Sequence, residues 1–219
     1  MFFVIGRPKS LEDLKGIIEQ NVGELRKNTS IAVIDDEPFI SGNNLRDRDF
    51  NIKEIGDIKA IQSIASYPVV LCDIKGVGAA FKSEYEGGYI ISEIVKYFPH
   101  KVVIAYTGER FDPTYNKFFQ LCDFTMKKDS TLDEWADALD QAIKIAVNPI
   151  NQWIKTRNRL LSMGISSINL IKIENAFVNS VITNENKFHN QKVLNILQAD
   201  MKQIMLNLIA NVITKGIGI

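Results

Sequence analysis

Three observations predict a doubly wound α/β fold, a parallel five-stranded sheet followed by an all-helical C-terminal segment. Short apolar runs recur along the chain with helix-spaced stretches between them, the pattern of parallel strands joined by crossover helices. Several of those runs stop abruptly at polar or charged residues, as strands do at the edge where open α/β folds form their ligand crevice. From Asn148-Pro149 onward the alternation ceases and only helical periodicity remains. The chain therefore divides into an N-terminal extension, residues 1–30, an α/β domain, 31–147, and a helical module, 148–219.

In the extension, Ser10-Leu-Glu-Asp13 is a capping-box-like entry to an amphipathic helix with Leu11, Leu14, Ile17, Ile18, Val22 and Leu25 at helical spacing. The first core strand is Ile31-Ala-Val-Ile34, running into Asp35, Asp36 and Glu37 before Pro38. Residues 38–49 are polar around Ser41-Gly-Asn-Asn44, so the first crossover helix is expected to be stunted. Asn51-Ile-Lys-Glu-Ile55 alternates like a half-buried strand, and Ile58, Ile61, Ile64 and Ala65 suggest a short helix. Pro68-Val-Val-Leu-Cys-Asp73 is a buried strand ending in a carboxylate, followed by a long glycine-rich loop to Gly88. A helix carrying Ile90, Ile91, Ile94, Val95 and Phe98 leads to the strand Lys101–Thr107. A short aromatic-rich helix, 114–121, precedes the strand Asp123–Lys127. The last helix of the domain starts at Ser130/Thr131 with Asp133/Glu134 as capping acids and buries Leu132, Trp135, Leu139, Ala142 and Ile143.

Asp35, Asp36, Asp73, Thr107 and Lys127 all fall at the C-terminal ends of successive strands, and so converge on one edge of the sheet. Adjacent carboxylates repel one another, and a chain that gathers three of them usually has a cation to neutralise them. Mg²⁺ fits best, because it takes a few carboxylate oxygens and keeps several waters. The plainer alternative for Asp35-Asp36-Glu37 is a solvated acidic turn.

With 219 residues, 46% hydrophobic and 24% charged, the chain has the composition of a soluble globular protein. Its formal net charge of zero makes no global case for nucleic acid or membrane binding. Cys72 and Cys122 sit in apolar runs without a second cysteine or histidine at ligand spacing, which predicts buried thiols in a reducing compartment. No stretch has the length of a membrane span, and the opening Met1-Phe-Phe-Val-Ile-Gly is too short for a signal sequence, so a cytoplasmic location is expected. His100 and His189 stand alone and read as surface or satisfied histidines.

Residues 31–147 resemble the receiver domain of two-component response regulators. The matching pieces are Val33-Ile-Asp-Asp-Glu-Pro38, Val69-Val-Leu-Cys-Asp73, Ile104-Ala-Tyr-Thr107-Gly and Asp123-Phe-Thr-Met-Lys127, in that order. The resemblance implies that Asp73 accepts a phosphoryl group from a histidine kinase or phosphotransfer protein. It implies too that Mg²⁺ is held by Asp35, Asp36, Asp73 and the backbone carbonyl of Lys75. Thr107 and Lys127 would contact the phosphoryl oxygens, and Phe124 would be the switch aromatic. Lys128 competes for the cation's role, although the three-residue spacing from Phe124 favours Lys127. A phosphoryl group in transfer spreads negative charge over its oxygens, so a metal, a lysine and a hydroxyl are the groups such chemistry requires. The sequence departs from the family in its polar first crossover, in a loop after Asp73 that lacks Met-Pro, and in Lys128 where proline is usual.

In the helical module Asn148 caps a first helix with Pro149 at its first position, Gly164 breaks it, and Ser166/Ser167 begins a second. A third helix is expected from about residue 190 to 214. Its stripe of Leu194, Leu197, Met201, Ile204 and Leu208 is more apolar than a solvent-facing helix should be, so it must be buried. The covers available are the helical module itself, the last helix of the α/β domain or the segment 10–27, and a second copy of the chain. Homodimerisation through these residues is the outcome expected, because two short preceding helices could not readily cover the stripe. The segment Leu161–Ser166 is similar to the turn of a helix-turn-helix, but the helix after it carries only Lys172 as a cation. Neutralising several phosphates needs more, so nucleic acid is not an expected partner. The alternatives to a phosphorylated signalling protein are a pseudo-receiver acting as an unphosphorylated scaffold and a DNA-binding regulator using the C-terminal helices. A Mg²⁺-dependent phosphohydrolase is disfavoured, because Lys75 stands where a second acid would serve as general acid/base.

Overall fold

The computed structural model of the protein describes residues 9–15, 22–108, 113–185 and 191–214; Ile17, Ile18 and His189 lie outside them. In chain order the elements are α1 (Val22–Asn28), β1 (Ile31–Ile34), α2 (Gly42–Arg46), β2 (Ile52–Glu54), β3 (Val69–Asp73), α3 (Glu86–Tyr97), β4 (Val102–Thr107), α4 (Asn116–Phe119), β5 (Phe124–Lys127), α5 (Leu132–Val147), α6 (Pro149–Ser162), α7 (Ser167–Thr183), α8 (Gln191–Leu194) and α9 (Ala199–Thr214). Single 3₁₀ turns occupy Leu11–Leu14, Ile61–Ile64, Ala79–Phe81 and Pro113–Tyr115.

All five expected strands form, and they pair in parallel in the order β2-β1-β3-β4-β5. The three central strands are built from Val, Ile, Leu and Ala and are buried on both faces, as covered parallel strands must be. The pleat divides their side chains between two cores. Ile31, Val33, Val69, Leu71, Val102, Ile104 and Tyr106 face Trp135, Leu139, Ala142 and Ile143 of α5, with Leu25 of α1. Ile34, Val70, Cys72, Val103 and Ala105 face Ile90, Ile91 and Ile94 of α3, with Phe118 of α4. The polar stretch after β1 supports only the five-residue α2, and the expected helix near Ile61 is one 3₁₀ turn, so α3 and α5 are the long covers of the sheet.

Helix α5 begins as the sequence indicates. The Thr131 hydroxyl accepts the Glu134 N–H, and the Glu134 carboxylate accepts the Thr131 N–H at 2.7 Å. Helix α5 passes almost directly into α6, whose first turn is capped by the Asn148 side chain, accepting from Ile150 and Asn151 N–H.

The C-terminal region corrects two expectations. The third helix is not continuous, since a turn at residues 195–198 separates α8 from α9. More consequentially, its apolar stripe is covered within the same chain. Leu197, Met201, Ile204 and Leu208 are buried and Leu194 is half-buried, most of them in a core with Trp153, Leu160, Phe177 and Val178 of α6 and α7. Two features of the fold complete the cover, one of them the segment 10–27 that stood as the alternative to a dimer. Leu14 of the N-terminal extension enters this core, fully buried, and α9 also packs against α3, where Asn207 Nδ2 donates to the Tyr97 carbonyl at 2.9 Å. The reason for assigning Leu194, Leu197, Met201, Ile204 and Leu208 to a dimer interface is thereby removed. Among the described residues no helix is long and apolar enough to cross a membrane.

Candidate functional site

The parallel register fixes what meets at the C-terminal edge. Val33 pairs with Leu71, Asp73 with Tyr106, and Tyr106 with Met126. Residues two apart on a strand share a face, so Asp35, Asp73, Tyr106 and Lys128 fall on one phase of the pleat, the phase that faces α5 lower in the sheet. Asp35, Asp36 and Asp73 can each place one carboxylate oxygen within 4.8 Å of the others. Asp35 and Asp73 are about 5% and 4% exposed, whereas Asp36 is open to solvent.

The lysine that reaches these acids is Lys128. Its Nζ lies 2.6 Å from Asp73 Oδ2 and 3.2 Å from Asp35 Oδ2. Lys127, the expected cation, is exposed; β5 alternates half-buried Phe124 and Met126 with exposed Thr125 and Lys127, which leaves Lys127 on the wrong phase. Lys128 lies just past the strand, its N–H donating to the Thr107 carbonyl at 3.0 Å, and its side chain folds back over the edge. The period-two phase set by Phe124 and Met126 was the available signal; spacing from Phe124 alone misled.

A hydroxyl is also present, from an unexpected residue. The Tyr106 phenol donates to Asp35 Oδ2 at 2.7 Å. Thr107 lies one residue on, half-buried, on the opposite phase of the pleat, and pairs with Lys127. Phe124 is half-buried against the α5-side core.

The electrostatics follow from burial. Desolvation raises the Asp73 carboxyl above the ordinary carboxylate range and Asp35 adds to this, while the Lys128 ammonium opposes it without prevailing. Burial disfavours the Lys128 ammonium, but its pairs with Asp73 and Asp35 outweigh that cost and raise its pKa. Tyr106 is held protonated by burial first and by its bond to Asp35 second. Cys72, on the neighbouring strand position, is pushed far up by burial and is inert as a thiol; Cys122 is pushed up to about 12 for the same reason. Cys72 is buried as expected, whereas Cys122 is half-buried. His100 is buried edge-on to Phe98, away from the surface position that was one of its two expected settings.

Two glycines that carry no chemistry make the edge possible. A Cβ on Gly76, which sits at φ +79°, would lie 2.3 Å from the Asp36 carboxylate. A Cβ on Gly87 would lie 1.8 Å from the Asp73 carbonyl oxygen, so only glycine lets the start of α3 approach the end of β3. The loop between them is pinned by Asp57, whose carboxylate accepts the Gly78 N–H at 2.6 Å, and by Glu86, which accepts the Gly76 N–H at 3.2 Å.

Three carboxylates against one ammonium leave the edge net negative, and hard oxygen donors of this kind suit Mg²⁺. The space that Gly76 leaves beside Asp36 keeps that carboxylate open to a cation. The residues therefore fit the metal that the sequence suggested.

No family model and no curated protein matches the sequence. Solved structures similar to the chain include a CheY-like response regulator receiver domain protein from Methanospirillum hungatei, 17% identical, covering 54% of this chain and 95% of that one with a TM-score of 0.45. Another is NtrX from Brucella abortus, in complex with ATP, 18% identical, with 72% of this chain and 35% of that one covered and a TM-score of 0.46. A third is a response regulator from Burkholderia pseudomallei with a phosphorylated aspartic acid and a calcium ion, 13% identical, with coverage of 75% and 92% and a TM-score of 0.42. A five-stranded parallel sheet in the order 2-1-3-4-5 flanked by helices is the doubly wound, flavodoxin-like α/β fold that receiver domains share.

Proposed function

We propose that the protein is a signalling module that accepts a phosphoryl group on Asp73 and passes the resulting change to its C-terminal helices. The observation that carries this reading is the buried pairing of Asp73 with Lys128 beside Asp35, at the strand edge where Asp36 also converges. An oxygen of the Asp73 carboxylate attacks phosphorus; the bond from phosphorus to the donor nitrogen of a phosphohistidine breaks, and the imidazole leaves with a proton from solvent. Asp35, Asp36, Asp73 and the Lys75 carbonyl are the residues that would hold Mg²⁺, which when bound neutralises charge on the phosphoryl oxygens. Lys128, freed from the Asp73 oxygen that forms the new bond, is within reach of the added oxygens and takes the role first given to Lys127. Thr107, at the end of β4, is a further hydroxyl for them once the edge rearranges, since it starts on the opposite phase of the pleat, and Phe124, lower on β5 opposite Ile104, is the aromatic that follows the edge. The donor is a histidine kinase or phosphotransfer protein.

The five-residue α2, in the position of the first crossover, favours a second reading as an unphosphorylated binding module. Intact mass after incubation with acetyl phosphate and Mg²⁺ separates the two. The wild type should gain one phosphoryl group and Asp73→Asn none. An unmodified wild type supports the scaffold reading, and modification of Asp73→Asn refutes the assignment of the acceptor.

A further inference from the structure

We propose that Tyr106 is a positioning residue for Asp35 and that its ring carries the state of the acidic edge to α5 through Trp135. This rests on the reading of the edge as a Mg²⁺ site. Tyr106 meets Asp35 and Lys128 and lies beside Asp73 on the neighbouring strand. Its hydroxyl donates to Asp35 Oδ2 at 2.7 Å, the oxygen that Lys128 also approaches at 3.2 Å. Its backbone carbonyl accepts the Ile74 N–H at 3.2 Å, next to Asp73, and the Lys128 ammonium lies 5.7 Å from its ring centroid.

The phenol is a demanding constraint on Asp35. Asp35 Oδ1 accepts the Glu37 N–H at 3.0 Å and Oδ2 the Tyr106 hydroxyl at 2.7 Å, with the Lys128 ammonium between them at 3.5 and 3.2 Å, so beside that ammonium one fixed donor holds each oxygen. Those two donors fix the rotamer of the carboxylate, and the remaining positions on its oxygens are the ones Lys128 shares with a cation. Hydrogen-bonded partners of ligating carboxylates tune metal affinity in this way, and their removal costs about tenfold or more. A core tyrosine merely finding an acceptor would need any buried oxygen. This one takes an oxygen of the proposed metal ligand.

The other side of the ring is as tightly held. Tyr106 packs edge-on to Trp135 with centroids 5.8 Å apart, and both meet Phe39, at 5.6 and 5.1 Å. Tyr106 and Trp135 are fully buried. Close-packed aromatics of this kind cannot shift singly, so a change in where the phenol points is felt by Trp135. Trp135 lies in the first turn of α5, which leads through Asn148 into α6. Among the described residues its indole N–H has no hydrogen-bond partner, so the side chain can move without breaking a polar contact to them.

Mg²⁺ titration of the full chain by calorimetry and by tryptophan emission tests this. Wild type should bind Mg²⁺ and change its emission, and Trp135→Phe should bind with wild-type affinity and lose the change, which assigns the signal to Trp135 over Trp153. Tyr106→Phe, which removes one oxygen and keeps the ring, should bind Mg²⁺ about tenfold more weakly and show no emission change even at saturation. Binding by Tyr106→Phe within twofold of wild type, or an unaltered emission response, overturns the proposal and leaves the Mg²⁺ site standing. A wild type that binds no Mg²⁺ overturns both. Should Tyr106→Phe fail to fold, ¹³Cζ-tyrosine in the wild type replaces it: the Tyr106 resonance, identified by shielding from a soluble paramagnet, should shift with Mg²⁺, and a fixed resonance during binding overturns the proposal.

Discussion

Replacing Lys128 with alanine removes an ammonium that pairs with two carboxylates whose side chains are 4% and 6% exposed. Breaking a buried ion pair from one side costs about 3–5 kcal/mol, because the remaining charge stays desolvated. Two features reduce that figure here. The Lys128 side chain is 24% exposed, so solvent already screens part of the attraction, and Asp73, its carboxyl raised by burial, can take up a proton once the ammonium is gone. A loss of about 2 kcal/mol at neutral pH without Mg²⁺ is expected. Lys127→Ala, made at an exposed position, should change stability by less than about 0.5 kcal/mol. Urea unfolding of the two variants beside wild type measures both. Added Mg²⁺ should recover part of the Lys128→Ala loss, since a ligand present at 100 times its Kd stabilises by about 2.7 kcal/mol. Equal effects of the two substitutions, or a Lys128→Ala protein as stable as wild type without Mg²⁺, would refute the reasoning that places Lys128 at the centre of the edge.

Gly76→Ala should destabilise the protein by more than about 1 kcal/mol and weaken Mg²⁺ binding, because the new Cβ meets the Asp36 carboxylate at 2.3 Å and φ is +79°; a melting temperature and Mg²⁺ affinity equal to wild type would count against it. Leu208→Ala should cost about 2–5 kcal/mol in unfolding free energy and leave the mass measured by light scattering unchanged, since Leu208 is wholly buried within its own chain. Dissociation of an assembly with little loss of stability would show that the stripe serves an interface instead. Glu54 has its carboxyl lowered below 4.5 by its hydrogen bond from Arg46. A lowered folded pKa contributes stability that is present above the unfolded value and lost as pH falls through the folded one. Wild type should therefore exceed Arg46→Ala in stability at pH 6–7, with the gap closing below about pH 4.5; a gap that persists at pH 3 would contradict it.

The sequence by itself determined the layers and the acids. Runs such as Ile31–Ile34 and Val69–Cys72 fit buried strands, being short, rich in β-branched residues and without alternation, and a parallel sheet then brings Asp35, Asp36 and Asp73 to one edge. The polar composition after Pro38 and the capping residues at Thr131 and Asn148 likewise act locally, and the structure has the short α2 and the starts of α5 and α6 where they indicate. Tertiary structure decided which neighbours of those acids reach them. Lys127 and Lys128 are chemically alike and adjacent, and only the pleat phase and the turn after β5 separate an exposed cation from one 2.6 Å from Asp73. Tyr106 reads as an ordinary core aromatic until the register with Asp73 lays its hydroxyl on Asp35. The stripe on α9 shows from sequence that it must be buried, but not by what. Its cover comes from Leu14, about 190 residues earlier in the chain, and from α6 and α7, a long-range arrangement that helical periodicity does not encode.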